Sequence, residues 1–473
     1  MKKPVYVTSP NASFYKNLKI TIMGWGRFGG NAAAARFLAG QGARITVTDK
    51  KPLEAFSALP EDLPCEWVLG RHREEDFINA DVVLVNPAVT PNSPFLRKAI
   101  EAGIPLDTEI NLFLRLCPTR RIVAVTGSNG KSTTTSLLSA MLIEKGLRVH
   151  CGGNVGRSLL GSLNQIQEDH VVALELSSFQ IQRMTEAGLG VWGAVLLNLE
   201  PNHLDWHGSW EAYREAKAGL LKTVDPQGWT VLHGGRPSVA QLGGCSRGPV
   251  YHFAVKTGLS WVDRGSVWCR FDEREHEICG AGEILLRGPH NLENVAAAAA
   301  AAGLAGADPD SVRRATLAFL PLPHRLEVCG EKEGILWIND SVSTTPESTI
   351  MALRSFPGRI HLFLGGKDKG LCPKELIREA AKRSHRIYLL GAVARILEEA
   401  LLQEGFDPGR LGMYVALEES VASAAQFACP GDVVLFSPGF SSYDMFLNFE
   451  ERGDRFKRAV LSHLGHRSAK SSR

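Results

Sequence analysis

Residues 121 to 145, RIVAVTGSNGKSTTTSLLSAMLIEK, decide the fold. The apolar, β-branched run Arg121 to Thr126 reads as a buried strand. Gly127-Ser128-Asn129-Gly130 turns the chain, and a helix is expected from Lys131 to about Lys145. In a strand, glycine turn and helix of this kind, backbone N–H groups cradle a phosphate chain and Lys131 neutralises its charge. The Ser132 hydroxyl, followed by Thr133, is placed to bind magnesium. The loop departs from the common phosphate loop, whose first glycine lies five residues before the second. That position is Val125 here, so the loop is shorter.

Two further blocks repeat this grammar. Towards the N-terminus, Ile20 to Met23 leads into Gly24-x-Gly26-x-x-Gly29 and an alanine-rich helix. Strands follow at Arg44 to Asp49 and Asp81 to Val85, the latter stopping at Asn86-Pro87. With Asp49 lying 20 residues past Gly29, this is the dinucleotide fingerprint in its proper context. Any phosphate-bearing nucleotide satisfies the same physics, and a tight turn with no ligand is the plain alternative. Beyond Pro321-Leu322-Pro323, strands are expected at Ile335 to Asn339, Ile360 to Leu364, Ile387 to Leu390 and Val433 to Phe436.

Within the middle block, strands are expected at Val171 to Leu176 and Gly193 to Asn198. Short strands and turns follow between about 226 and 290, with Asp263 to Ser266 as a hairpin loop. Strands alternating with helices give an α/β chain of three domains. These are a doubly wound N-terminal domain over 1–106, a central phosphate-loop domain with a small β insertion over 107–322, and a doubly wound C-terminal domain over 323–473.

Composition fits this reading. Hydrophobic residues make up 44% of the 473 and charged residues 22%, which argues against disorder or coiled coil. Lys+Arg 53 against Asp+Glu 50 gives no basic patch for nucleic acid. The N-terminus has no apolar run behind its two lysines, and Val295 to Ala307 is too short and small-sided to span a membrane. Nine cysteines without a CxxC pair fit a reducing compartment. Cys269, His276 and Cys279 lack a fourth ligand at a standard metal spacing. A cytoplasmic protein is expected, with no nucleic-acid or membrane partner.

Several polar residues stand out against plainer alternatives. Glu175 ends the buried strand Val171 to Leu174, where a carboxylate beside a phosphate loop can hold magnesium or simply face solvent. His203 follows the next strand at the same sheet edge. Pattern alone makes Lys217 a surface lysine of its helix. Asn291 and Asn294 share a helix face ahead of seven alanines, able to read a base edge or to cap the helix.

Taken together, VTGSNGKST, ELSSFQ, NHLDWHGSWEAYREAK, GPHNLENVAAAAA, LPHRLE and SPGFSSYDMFLNFEERG resemble the Mur ligases over about Lys19 to Phe456. Their order and spacing carry the likeness, and the short phosphate loop is that family's own variant. The resemblance implies ATP-dependent ligation of glutamate to UDP-N-acetylmuramoyl-L-alanine, a step of peptidoglycan synthesis, by a monomer. It turns the Gly24/Gly26/Gly29 site, with Asp49 and Asn86, into a UDP-substrate site. It implies that Gly127 to Thr133 bind ATP, that Ser132 and Glu175 ligate one Mg²⁺, and that His203 helps hold a second. Asn154 matches a substrate contact, Asn291 and Asn294 adenine contacts, Arg325 a phosphate contact and Asp340 a ribose contact. Lys217 matches a lysine carbamylated by CO₂, which requires a neutral, desolvated amine. Lys131, His203 and Lys217 form the implied catalytic set.

One departure bears on the amino acid. The family's usual Asn-Asp-Ser-Lys-Ala-Thr is here Asn339-Asp340-Ser341-Val342-Ser343-Thr344, so a cation is lost at Val342. Thr344, Lys369, Ser442 and Phe449 still match positions that hold the two carboxylates of glutamate. D-glutamate is the family default, and the lost donor leaves L-glutamate open. The alternatives are another ligase of the family, similar to folylpolyglutamate synthase, and an NAD-dependent oxidoreductase built on Gly24, Gly26, Gly29 and Asp49.

Overall fold

The computed structural model describes residues 3–8, 11–26, 29–56, 59–154, 158–368 and 372–465. Two compact units divide the chain. One comprises 1–280 with 293–317, the other 281–292 with 318–473.

The first unit holds two sheets. Its N-terminal sheet has five parallel strands in the order Cys65–Leu69, Arg44–Asp49, Lys19–Met23, Val82–Val85, Leu106–Asp107. The Val82–Val85 strand is buried on both faces, as a parallel sheet covered by helices requires. Strand order reverses beside Lys19–Met23, and the Gly24 to Gly29 turn leaves that strand at the switch point where such sheets bind ligands.

The larger sheet has nine strands. Ile122–Thr126, fully buried, lies between Val171–Glu175 and Val191–Leu196, and all three are parallel. Val125 is level with Glu175 on one side and Val195 on the other, so the phosphate loop and Glu175 emerge at one sheet edge. Val149–Gly153 closes one side, while Val224–His233 and four shorter strands extend the other. The expected hairpin is present, with Asp263 paired antiparallel to Ser266. The expected β insertion thus continues the same sheet. The strand expected over Gly193 to Asn198 runs instead from Val191 to Leu196, which frees Asn198 for the loop described below.

The helix Pro289–Leu304 carries Ala296 to Ala302, every one of them at most 2% exposed. A helix apolar on all sides is a buried helix. Ser260 Oγ donates to the Ala296 carbonyl at 2.6 Å, and a side chain at Gly303 would meet Phe271 at 2.9 Å.

The second unit contains a six-stranded sheet ordered Glu327–Lys332, Ile335–Asn339, Val433–Gly439, Ile360–Gly365, Ser384–Leu390, Leu411–Tyr414. Only the Glu327–Lys332 edge is antiparallel. Phe363, Phe436 and Phe456 pack face to face or edge-on beneath it, the last two stacked at 4.3 Å.

Candidate active site

Gly130 begins the Lys131–Glu144 helix in a left-handed conformation at φ 82°. A Cβ there would come within 2.3 Å of Asn294 Oδ1. The loop is braced from three further sides. The Asn198 side chain accepts from the Asn129 amide at 2.8 Å and donates back to the Asn129 carbonyl at 3.1 Å. Ser128 Oγ lies 2.8 Å from Tyr213 Oη and accepts from the Glu200 amide at 2.8 Å. Lys131 Nζ donates to the Gly127 and Ser128 carbonyls at 3.0 and 2.8 Å, so the cation lies over its own loop. Ser132 and Thr133 are buried in the first helical turn. Gly130→Ala should therefore combine left-handed strain of about 1–2 kcal/mol with displacement of Asn294. The expected outcome is a lower Tm and an ATP KM raised about tenfold, read by thermal melting and steady-state kinetics.

Lys217 is not on the surface. It projects from the Trp210–Lys222 helix at 1% exposure, with Nζ 2.8 Å from Thr126 Oγ1 and 2.9 Å from the Gly127 carbonyl. Thr126 Oγ1 passes its own proton to the Leu176 carbonyl at 2.7 Å. Burial, reinforced by the charge of Lys131 and opposed by Glu175, holds the Lys217 pKa well below its usual value and so favours the neutral amine. Its plain reading as a surface lysine is thereby corrected. Two neutral acceptors and the Tyr213 ring at 5.5 Å surround it.

Glu175 is 1% exposed. Asn154 donates to its Oε1 at 2.8 Å, and the Asn154 amide donates to its carbonyl at 2.9 Å. Glu175 Oε2 is buried with no hydrogen-bond partner among the described residues. An orphaned carboxylate oxygen beside a phosphate loop suits a hard divalent cation, so the donor set fits Mg²⁺. His203 is exposed, at φ 54°, with its ring 4.8 Å from Phe179. Four residues on, His207 packs against Phe179 and Tyr213 and bonds Ser178 Oγ at 2.9 Å. Burial is the largest influence on His207 and brings its imidazole down to about 4. No pattern in the sequence marked His207, Tyr213 or Asn198.

In the N-terminal sheet, Gly24 and Gly26 both take φ 79° and Gly29 takes φ 75°. A Cβ at Gly26 would meet Asn86 Nδ2 at 2.4 Å, so Asn86 lies directly under the turn. Asp49 Oδ2 accepts from the Trp25 amide at 2.9 Å and Oδ1 from the Lys51 amide at 3.0 Å. Asp49 therefore shapes the turn's backbone. Glu109, also unmarked in the sequence, lies behind Gly30, where a Cβ would be 3.7 Å from its Oε2. Burial pushes its carboxyl up to about 7 against a Ser158 hydrogen bond that lowers it. The folded state then holds a proton that the unfolded chain releases, so stability falls as pH rises from 4.5 to 7. Glu109→Gln should raise Tm relative to the parent at pH 8, with the gap narrowing by about pH 5 in melting curves.

The second unit gathers the C-terminal residues. Asp340, 4% exposed, accepts from Ser343 Oγ at 2.5 Å, Ser437 Oγ at 2.7 Å and the Leu326 amide at 3.2 Å. Burial raises it to about 6. The Leu326 bond ties Arg325's neighbour to the strand end. Asn291, 7% exposed, donates to the Arg287 carbonyl at 2.7 Å. Ser442 is buried; Thr344 and Phe449 are half-buried, and Phe449 opens the Phe449–His463 helix. The Val342 amide donates to the His324 carbonyl at 3.2 Å. Lys369 lies outside the described residues.

A buried lysine, an orphaned carboxylate and a braced glycine loop thus lie at one sheet edge, an arrangement suited to holding the phosphates of a nucleotide. Residues 18–107 match the Mur ligase MurD-like N-terminal domain, 125–302 the Mur ligase middle domain, and 324–440 the Mur ligase glutamate ligase domain. The chain belongs to the Mur ligase family and is an ATP-dependent amide ligase. It is 40% identical to the UDP-N-acetylmuramoylalanine–D-glutamate ligase of Roseiflexus sp. (strain RS-1), over 93% of this chain and 98% of the relative. It is 35% identical to the enzyme of the same name from Pelotomaculum thermopropionicum, over 94% and 97%. The solved UDP-N-acetylmuramate–alanine ligase MurC of Thermotoga maritima shares the fold at TM-score 0.63 and 18% identity, covering 94% of this chain and 100% of that one. Family membership removes the oxidoreductase alternative: the glycine turn belongs to a ligase. Among the described residues no helix is long and apolar enough to cross a membrane.

Proposed function

We propose that the enzyme adds D-glutamate to UDP-N-acetylmuramoyl-L-alanine through an acyl phosphate, acting as a cytoplasmic monomer in peptidoglycan precursor synthesis. The observation that carries this is the convergence of the Gly127 to Lys131 loop, the unpartnered Glu175 Oε2 and the buried Lys217 amine at one sheet edge. The names of the relatives support the substrates.

The Gly24 to Gly29 turn, with Asn86 beneath it, binds the UDP diphosphate, and Asn154 bridges from the substrate side to Glu175. The phosphate loop and Lys131 orient the γ-phosphate of ATP towards the substrate carboxylate, with Asn291 and Asn294 on adenine, Arg325 on phosphate and Asp340 on ribose. Lys131 offsets the repulsion between those two anions. Magnesium, held by Ser132 and Glu175 and at a second position by His203 and a carbamate on Lys217, supplies further charge neutralisation when bound. Attack by the carboxylate oxygen on the γ-phosphorus expels ADP and leaves the acyl phosphate. Thr344, Lys369, Ser442 and Phe449 hold the amino acid so that its neutral amine attacks the acyl carbon. Inorganic phosphate leaves as the amide forms.

Val342 favours a second reading of stereochemistry alone, because loss of the usual lysine changes how a dianion is held. Phosphate release from ATP is the test, with UDP-N-acetylmuramoyl-L-alanine and D-glutamate, L-glutamate or no amino acid. Release and amide product with D-glutamate only is the expected result. Selective use of L-glutamate would replace the enantiomer, and no stimulation by either would overturn the substrate assignment.

A further inference from the structure

Arg452, in the Phe449–His463 helix, is 3% exposed. Its guanidinium donates to three neutral oxygens: Nε to Ser341 Oγ at 3.0 Å, Nη2 to the Ser341 carbonyl at 2.8 Å and Nη1 to the Phe440 carbonyl at 3.0 Å. Ser341 Oγ in turn donates to the Phe449 carbonyl at 2.8 Å. One side chain thus ties together the Asn339 to Thr344 segment, the Phe440 to Ser442 turn and the first residue of the terminal helix. Those segments carry Thr344, Ser442 and Phe449.

The charge is the unusual part. A neutral amide could pin two carbonyls, whereas a buried cation is costly unless an anion balances it. No described carboxylate pairs with Arg452. Asp340 accepts from Ser343, Ser437 and the Leu326 amide, and Asp444 from the Ala392 amide at 2.8 Å. Both acids act on Arg452 only at longer range, and burial is the largest influence, bringing it down to about 10. Arg452 and Asp444 also border a mostly apolar cavity at the carboxyl ends of the strands, beside Gly365, Gly366, Leu390 and Pro438.

We propose that Arg452 is the specificity-setting cation of the amino-acid pocket. It positions the three segments and leaves a positive charge to be balanced by a substrate with two carboxylates. This rests on the reading above that Thr344, Ser442 and Phe449 hold glutamate. It would let the site hold a dianion without the lysine that the family's usual pattern has at Val342, the charge coming from beneath the loop.

The test is steady-state ligation by the full-length enzyme, varying glutamate at saturating ATP and UDP-N-acetylmuramoyl-L-alanine. Arg452→Gln should raise the glutamate KM about 30-fold and narrow the preference for glutamate over glutamine, with the ATP KM changed less than about twofold. Arg452→Lys keeps the charge without the three-way fork and should raise it about fivefold. A glutamate KM within about twofold of the parent, or equal rises for glutamate and ATP, overturns the assignment. If Arg452→Gln does not fold, the same criteria apply to Arg452→Lys. Ser442→Ala separates the two readings. A raised glutamate KM there with unchanged Arg452 variants rejects Arg452 alone, and the reverse pattern rejects Ser442's placement alone.

Discussion

Alanine in place of Lys131 is expected to reduce turnover about a thousandfold or more while leaving the fold intact. The side chain is half-buried and donates to the Gly127 and Ser128 carbonyls of its own loop. Asn198, Tyr213 and Asn294 would still brace that loop. What disappears is the cation facing two anions that must approach each other, a loss felt in the transition state more than in the ground state. Phosphate release with both substrates present, alongside circular dichroism, measures the two halves of the expectation. Undiminished ligation by a folded Lys131→Ala enzyme would remove the phosphate-loop assignment.

The second large effect concerns Lys217. Lys217→Met keeps the length of the side chain and its burial but removes the nucleophilic amine, and should lower turnover about a hundredfold or more. The parent enzyme labelled with ¹³C-bicarbonate should show a carbamate carbon by NMR that Lys217→Met lacks. A parent without that signal would reject the modification. Stability gives an independent reading. Burial lowers the Lys217 pKa in the folded chain below its ordinary value of about 10.5, so just below that value the unfolded state binds the extra proton and stability rises with pH. Lys217→Met should lose that slope in melting curves.

The phosphate loop and the strands beside it were readable because buried parallel strands are written as continuous apolar runs and the loop chemistry is local. Arg44–Asp49 and Ile335–Asn339 fall where their patterns place them. Less legible were the Val149–Gly153 edge strand, which is half-buried and ends in two glycines, and Cys65–Leu69, where only Val68 is buried. Site residues divide along the same line. Gly127 to Thr133 declare themselves in sequence. Lys217, by contrast, is a lysine in a polar helix until the fold carries it 91 positions back to Thr126. Tyr213, Asn198, Glu109 and Arg452 act through comparably distant partners, and no local spacing announces such pairings. Only the family resemblance points to Lys217, whose burial no local pattern announces.

The run Ala296 to Ala302 has a consequence for how this enzyme can change. Its alanines are buried on every side, and Ser260 of the nine-stranded sheet bonds the Ala296 carbonyl, so the packing there is fitted to methyl groups. Any enlargement would displace the helix, and Asn294, two residues before the run, touches the phosphate loop at Gly130. Core volume and nucleotide geometry are therefore one variable here. Drift in this part of the interior is constrained by the geometry of the Gly130 loop, which Asn294 meets from the same helix.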